Sequence, residues 1–332
     1  MNVVILGAGA WGSAMAIHLN RCGQRVTLIP RRIEQALEIS GSRENTDYLP
    51  GFTFPQDIQL AHVPAPALTE CDVLIFACPS KALRTTAERV KADVSPRTKI
   101  VISLCKGLEA ETLLRPEQVL KQVFPNLCCG TISGPTNAAE VASGFPAAVA
   151  FASDAGDELA EEIQREFSNA SFRIYRSSDV VGVELCGALK NIYALAAGIC
   201  DGMRLGANAR ASLLTRAVAE MGRIVEAEGG CGETVRGLSG MGDLVATATA
   251  DWSRNRQFGL EIGRTGTASA LAKMQAQKSV VEGYYSTKNF YESAMRSGVS
   301  APILKCVYNI VYGDVDLKAA VFALMTRSLK EE

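Results

Sequence analysis

Apolar positions follow two different patterns along this chain. Up to about residue 177, short strand-like runs rich in apolar residues recur at 2–6, 25–30, 72–79, 99–104, 128–133, 147–153 and 171–177. Each has the length of a buried strand, and helical patterns lie between several of them. Strands alternating with helices predict a largely parallel, doubly wound α/β sheet. After about Ser178 the strand signals stop and helix follows helix. Residues 180–199 are apolar on nearly every face, with Gly182, Gly187 and Gly198 placed for close packing, which predicts a buried helix. The pattern divides the chain into an α/β domain, 1–178, and an all-helical domain, 179–332. The two are joined directly, and a cleft between them is the expected pocket.

Size and charge fit this division. A chain of 332 residues exceeds one typical core. A net charge of −1 provides no basic surface for nucleic acid and no polybasic membrane patch. No basic stretch leads into an apolar signal segment. The most membrane-like run, 183–199, carries Glu184, Lys190 and Asn191, so no membrane insertion is expected. The ten cysteines include no CxxC pair. Reduced, buried thiols are the expectation, with no metal centre and a cytoplasmic location.

The first run leads into Gly7-Ala-Gly9-Ala-Trp-Gly12 and then a helical pattern from Ser13. G-x-G-x-x-G after a strand and before a helix is a dinucleotide-binding pattern. Gly7 permits the turn, Gly9 admits a pyrophosphate to the backbone, and Gly12 lets helix and strand pack closely. After the second run stand Arg31 and Arg32, where an NAD site usually places a carboxylate. Guanidinium groups suit a 2′-phosphate, so NADP(H) is the preferred cofactor, with NAD(H) possible. Ligands in such sheets bind beyond the carboxyl ends of strands, which draws attention to Cys78-Pro79-Ser80, Cys105-Lys106-Gly107 and Ser133-Gly134-Pro135-Thr136.

In the helical half, Lys190 interrupts the apolar helix. A buried ammonium is costly unless paired, and a lysine in such a place can serve as general acid or base. The two histidines, His18 and His62, lie away from other polar clusters. Gly240-Met-Gly-Asp243 suggests a tight turn presenting a carboxylate, and Ser253-Arg254-Asn255-Arg256 offers cations for a phosphate or a solvated helix start. Glu282 falls at the start of a further helix.

In order, GAGAWG, CKGLEAET, SGPTNAAE, GVELCGALKNIYALAAG, DGMRLGANARASL, GLSGMGDLVATATADWSRNRQFG and VVEGYYSTK make the chain resemble the bacterial-type NAD(P)-dependent glycerol-3-phosphate dehydrogenase family over nearly its whole length. The resemblance implies a Rossmann-like N-terminal domain and a C-terminal domain like that of 6-phosphogluconate dehydrogenase. It also implies interconversion of dihydroxyacetone phosphate and sn-glycerol 3-phosphate for phospholipid synthesis, by a homodimer. Carried over by position, Lys190 matches the proton donor and acceptor, with Asp243 and Lys106 beside it in the catalytic set. Substrate contacts match Lys106, Gly134, Thr136, Lys190, Asp243, Ser253, Arg254 and Asn255. Cofactor contacts match Gly7, Gly9, Trp11, Gly12, Arg31, Arg32, Lys106, Ala138, Arg254, Val280 and Glu282. Two positions depart from the family: Asn137 stands where phenylalanine is usual, and Ala10 where many relatives carry a hydroxyl residue. A related hydroxy-acid dehydrogenase would not need Arg254 and Asn255, and a non-catalytic NADP(H)-binding regulator could lose Lys190 or Asp243.

Overall fold

The structure is a computed structural model that describes residues 1–276, 280–313, 315–329 and 331. It divides into two compact units, Met1–Glu184 and Leu185–Glu332.

In the first unit the strands are β1 (Asn2–Leu6), β2 (Arg25–Ile29), β3 (Glu44–Asn45), β4 (Leu49–Thr53), β5 (Gln59–Leu60), β6 (Val73–Phe76), β7 (Ile100–Ser103), β8 (Cys128–Ser133), β9 (Ala147–Ser153) and β10 (Phe172–Ser177). Helices α1 (Ala10–Arg21), α2 (Ile33–Ser42), α3 (Ala65–Leu68), α4 (Leu83–Val90), α5 (Pro116–Val123), α6 (Ala138–Ser143) and α7 (Asp157–Phe167) connect them. Eight strands form one sheet in the order β10-β9-β8-β7-β6-β1-β2-β5. Every neighbouring pair is parallel except β8 with β9. β3 and β4 form a separate antiparallel hairpin.

Strand periodicity decides which core each side chain joins. Val3, Ile5, Val26, Leu28, Val73 and Ile75 point to the face covered by Ala14, Met15 and Leu19 of α1. Val4, Leu6, Ile29, Leu74 and Phe76 point to the other face, against Leu83 and Ala87 of α4 and Leu120 of α5. With both faces covered, the central strands β6 and β7 are buried at every position, which explains their apolar runs, whereas β10 alternates buried and exposed residues. From β1 the chain runs outward to β2 and then returns to β6 on the opposite side. The β1–β6 junction is therefore the topological switch point at which sheets of this kind bind ligands.

The second unit is helical. Its helices are α8 (Val180–Gly202, entering from the first unit), α9 (Ala207–Ala227), α10 (Asp243–Thr249), α11 (Arg254–Thr265), α12 (Thr267–Ala276), α13 (Glu282–Ser297), α14 (Pro302–Tyr312) and α15 (Leu317–Met325). α8 is long and apolar enough to cross a membrane, but 89% of its most apolar stretch is buried within the fold. It crosses α11 almost backbone to backbone. A methyl group at Gly198 would sit 2.1 Å from the Arg256 carbonyl oxygen, and one at Gly259 2.0 Å from that of Leu195.

Candidate active site

The glycine loop leaves β1 at the switch point. Gly7 adopts φ +115°, and a Cβ there would lie 2.4 Å from the Ala77 carbonyl oxygen, just past β6. Gly12 passes just as close to the Gly7 carbonyl. The helix begins earlier than the sequence pattern indicates, at Ala10 rather than Ser13, so the last part of the motif is itself the first turn. The N-cap is Gly9, which has no side chain to satisfy the first N–H groups. Beside Gly9 there is open space, with nothing within 4 Å of an added Cβ. In the same turn, Trp11 Nε1 is buried and has no hydrogen-bond partner among the described residues. An uncapped helix start, open space and an orphaned donor together fit an anionic dinucleotide.

Arg31 and Arg32 follow β2 and are exposed. Arg32 Nη2 lies 3.8 Å from Asp47 Oδ2.

Lys106 lies past the carboxyl end of β7. Its Nζ donates to the Gly134 carbonyl (3.1 Å) and to Thr136 Oγ1 (3.4 Å), so the loops after β7 and β8 meet. The neighbouring Cys105 thiol hydrogen-bonds with Cys78, Sγ to Sγ 3.9 Å. That contact and burial push its pKa well above the usual thiol range, so it adds no charge at this edge. Asn137 caps α6, accepting from the Glu140 N–H at 3.0 Å, and Ala138 is the first helical residue after it. An aromatic side chain in its place would not supply this cap.

In the second unit Lys190 is buried in α8, and its ammonium is paired. Nζ donates to Asp243 Oδ1 at 2.9 Å and to Thr247 Oγ1 at 2.6 Å. Thr247 in turn donates to Asp243 Oδ1 at 3.1 Å. Asp243 and Thr247 stand one turn apart at the start of α10, which explains why both reach the same nitrogen. The turn before Asp243, 238–242, is a single π-helical turn rather than a tight turn. A Cβ on Gly240 would lie 2.1 Å from the Val235 carbonyl oxygen, so glycine is needed to seat it.

The Ser253-Arg254-Asn255-Arg256 cluster separates into distinct tasks. Ser253 caps α11 by accepting from the Arg256 N–H. Arg256 binds Asp201 (2.8 Å) and Asp251 (2.8 Å), which removes it from the cations available to a phosphate. Arg254 is exposed. Asn255 donates to Asn191 Oδ1 at 2.8 Å and accepts from the Gly283 N–H at 2.8 Å, tying α8, α11 and the start of α13 together. Glu282 opens α13, and Val280 lies two residues before it, outside the helix. Sequence reasoning did not single out Thr247 or Asn191. The signal for Thr247 was its position four residues after Asp243, on the same helical face. The histidines are uninvolved: His62 is exposed, and His18 is buried against the Phe167 carbonyl. Among the described residues no group of three or more His, Cys, Asp or Glu side chains could hold a metal ion.

Comparisons with known proteins bear on the family. Residues 2–159 match the family model described as NAD-dependent glycerol-3-phosphate dehydrogenase N-terminus, and residues 179–322 match the corresponding C-terminus. The chain is 40% identical over 330 residues to a glycerol-3-phosphate dehydrogenase [NAD(P)+] of Nitrosomonas europaea, covering 98% of each chain. It is 41% identical over 335 residues to that of Syntrophotalea carbinolica, covering 100% of this chain and 99% of the relative. A crystal structure of glycerol-3-phosphate dehydrogenase from Coxiella burnetii superposes with a TM-score of 0.92 at 36% identity, covering 98% of each chain. With both halves matched in order, and relatives aligned from end to end, this chain belongs to the NAD-dependent glycerol-3-phosphate dehydrogenase family.

Proposed function

We infer that this oxidoreductase, a glycerol-3-phosphate dehydrogenase [NAD(P)+], uses Lys190 as the general acid in reducing dihydroxyacetone phosphate and as the general base in the reverse direction. When bound, the nicotinamide supplies or accepts the hydride at C2 of the substrate. As charge develops on the C2 oxygen, the Lys190 ammonium stabilises it and transfers a proton. Asp243 and Thr247 hold the nitrogen in place, so little reorganisation is needed during the reaction. Arg254, exposed at the start of α11, serves as the cation for the substrate phosphate, and the N-terminal end of that helix adds to the attraction. Asn255 contributes chiefly by holding α11 against α8 and α13. Lys106, with Gly134 and Thr136, supplies a second positive group at the end of the sheet. For the cofactor we favour NADP(H), because Arg31 and Arg32 replace the carboxylate that would bind a ribose 2′-hydroxyl. The working form we favour is a homodimer.

The observation that carries this reading is the buried triangle of Lys190, Asp243 and Thr247. The test is Lys190→Ala, assayed by nicotinamide absorbance with dihydroxyacetone phosphate and by NADPH titration. Loss of one general acid lowers turnover by about 10²–10⁴-fold, with NADPH affinity held within a few-fold. Turnover within tenfold of wild type would remove Lys190 from the mechanism.

A further inference from the structure

Two buried amide side chains converge on the glycine loop, and neither belongs to the G-x-G-x-x-G pattern. Gln35 Nε2, from the first turn of α2, donates to the Ala8 carbonyl at 3.1 Å. Asn45 Nδ2, from β3, donates to the same carbonyl at 2.8 Å and to Ser13 Oγ, one turn into α1, at 2.8 Å. Gln35, Asn45 and Ser13 are all buried. The register of the β3–β4 hairpin shifts between Glu44 and Asn45, an irregularity of the kind that re-aims a side chain.

The geometry points to Asn45 and Gln35 as positioning residues for the cofactor, acting through one peptide plane. This rests on the reading that the glycine loop seats the dinucleotide's pyrophosphate. The chain has no cis peptide bonds among the described residues, so the Ala8 carbonyl and the Gly9 N–H point in opposite directions. Two donors hold the carbonyl toward the buried side. The Gly9 N–H is therefore turned away from that side, and nothing lies within 4 Å of a Cβ added at Gly9. A loop built around glycine can rotate this peptide at little cost, and an anion site depends on which way it faces. The Asn45–Ser13 bond sets the start of α1 relative to the same plane, so the helix N-terminus and the loop N–H act on one ligand group. Burying two primary amides costs free energy unless their hydrogen bonds are made. At this position those bonds fix the orientation of the loop.

The pyrophosphate is common to NADPH and NADH, so this device affects both equally, unlike Arg31 and Arg32. The experiment titrates NADPH and NADH fluorescence with wild type, Asn45→Ala, Gln35→Ala and Gly9→Val, alongside steady-state kinetics with dihydroxyacetone phosphate. In Asn45→Ala both dissociation constants rise by the same factor, about tenfold for loss of a buried donor pair, and kcat at saturating cofactor stays within about twofold. Gln35→Ala shifts both constants the same way by less, and it carries the test if Asn45→Ala fails to fold. Unchanged constants in a folded variant would overturn the inference, as would weakening of NADPH alone or a fall in kcat at fixed affinity. If Gly9→Val leaves both affinities intact, the pyrophosphate reading falls, and this inference with it. If Gly9→Val weakens both cofactors and Asn45→Ala weakens neither, only the role of the tether falls.

Discussion

At the scale of single residues, the buried polar groups of Lys190, Asp243 and His18 each have a partner, and each has consequences that can be measured. Lys190 was legible in the sequence because an ammonium inside an apolar helix needs a partner. Asp243 was legible as a carboxylate after a glycine turn. That the two form one ion pair was not, because 53 residues separate them. Thr247 escaped notice because a helical threonine is unremarkable until its neighbour four residues back is known to carry the charge. His18 shows a different kind of burial. It sits on α1 with Nε2 2.8 Å from the Phe167 carbonyl, and desolvation lowers its pKa from 6.5 to about 4. The folded protein thus keeps the ring neutral where the unfolded chain would protonate it. Stability from this residue is fully present above pH 6.5 and is lost as pH falls through about 4. The loss is on the order of 3 kcal/mol. Urea unfolding of wild type and His18→Gln between pH 7 and pH 4 checks this: the wild-type curve falls more steeply. Parallel curves would show that His18 has no part in the acid sensitivity.

At the scale of elements, close approach of backbones sets one helix crossing of the helical unit. α8 and α11 meet through Gly198, Gly202, Gly259 and Gly263, and that crossing sets α11 against the helix that carries Lys190. Gly259→Val should unfold the unit or lower its melting temperature sharply, because the new Cβ would meet the Leu195 carbonyl at 2.0 Å. Gly222→Ala, in the interior of α9 with nothing within 4 Å of its Cβ, should raise stability by about 0.5–1 kcal/mol. Thermal melts of the two variants separate the cases, and equal effects would contradict the packing argument. Strands were legible where both faces are buried. The hairpin β3–β4 and strand β5 were not, because Glu44–Asn45, Leu49–Thr53 and Gln59–Leu60 mix polar, proline and glycine positions in two to five residues. That hairpin carries Asn45, so a strand too short to leave a sequence pattern delivers one of the more informative side chains.

At the scale of the whole molecule, the chemistry is distributed. The glycine loop, Arg31, Arg32 and Lys106 belong to Met1–Glu184; Lys190, Asp243, Thr247 and Arg254 belong to Leu185–Glu332. The alternation of strands and helices revealed the first unit's plan, and the loss of that alternation revealed the second. Family membership required the order of several motifs, because a glycine loop alone states only that a dinucleotide is held. The central claim is that this chain reduces dihydroxyacetone phosphate with a cofactor chosen by the arginines after β2. The most direct test follows nicotinamide absorbance with purified protein and dihydroxyacetone phosphate, with NADPH and NADH in parallel. The account predicts rapid oxidation that depends on dihydroxyacetone phosphate, with kcat/KM at least about tenfold higher for NADPH, the equivalent of one charge-assisted phosphate contact. Equal use of both cofactors would contradict the arginine argument, and no oxidation of either would contradict the proposed reaction itself.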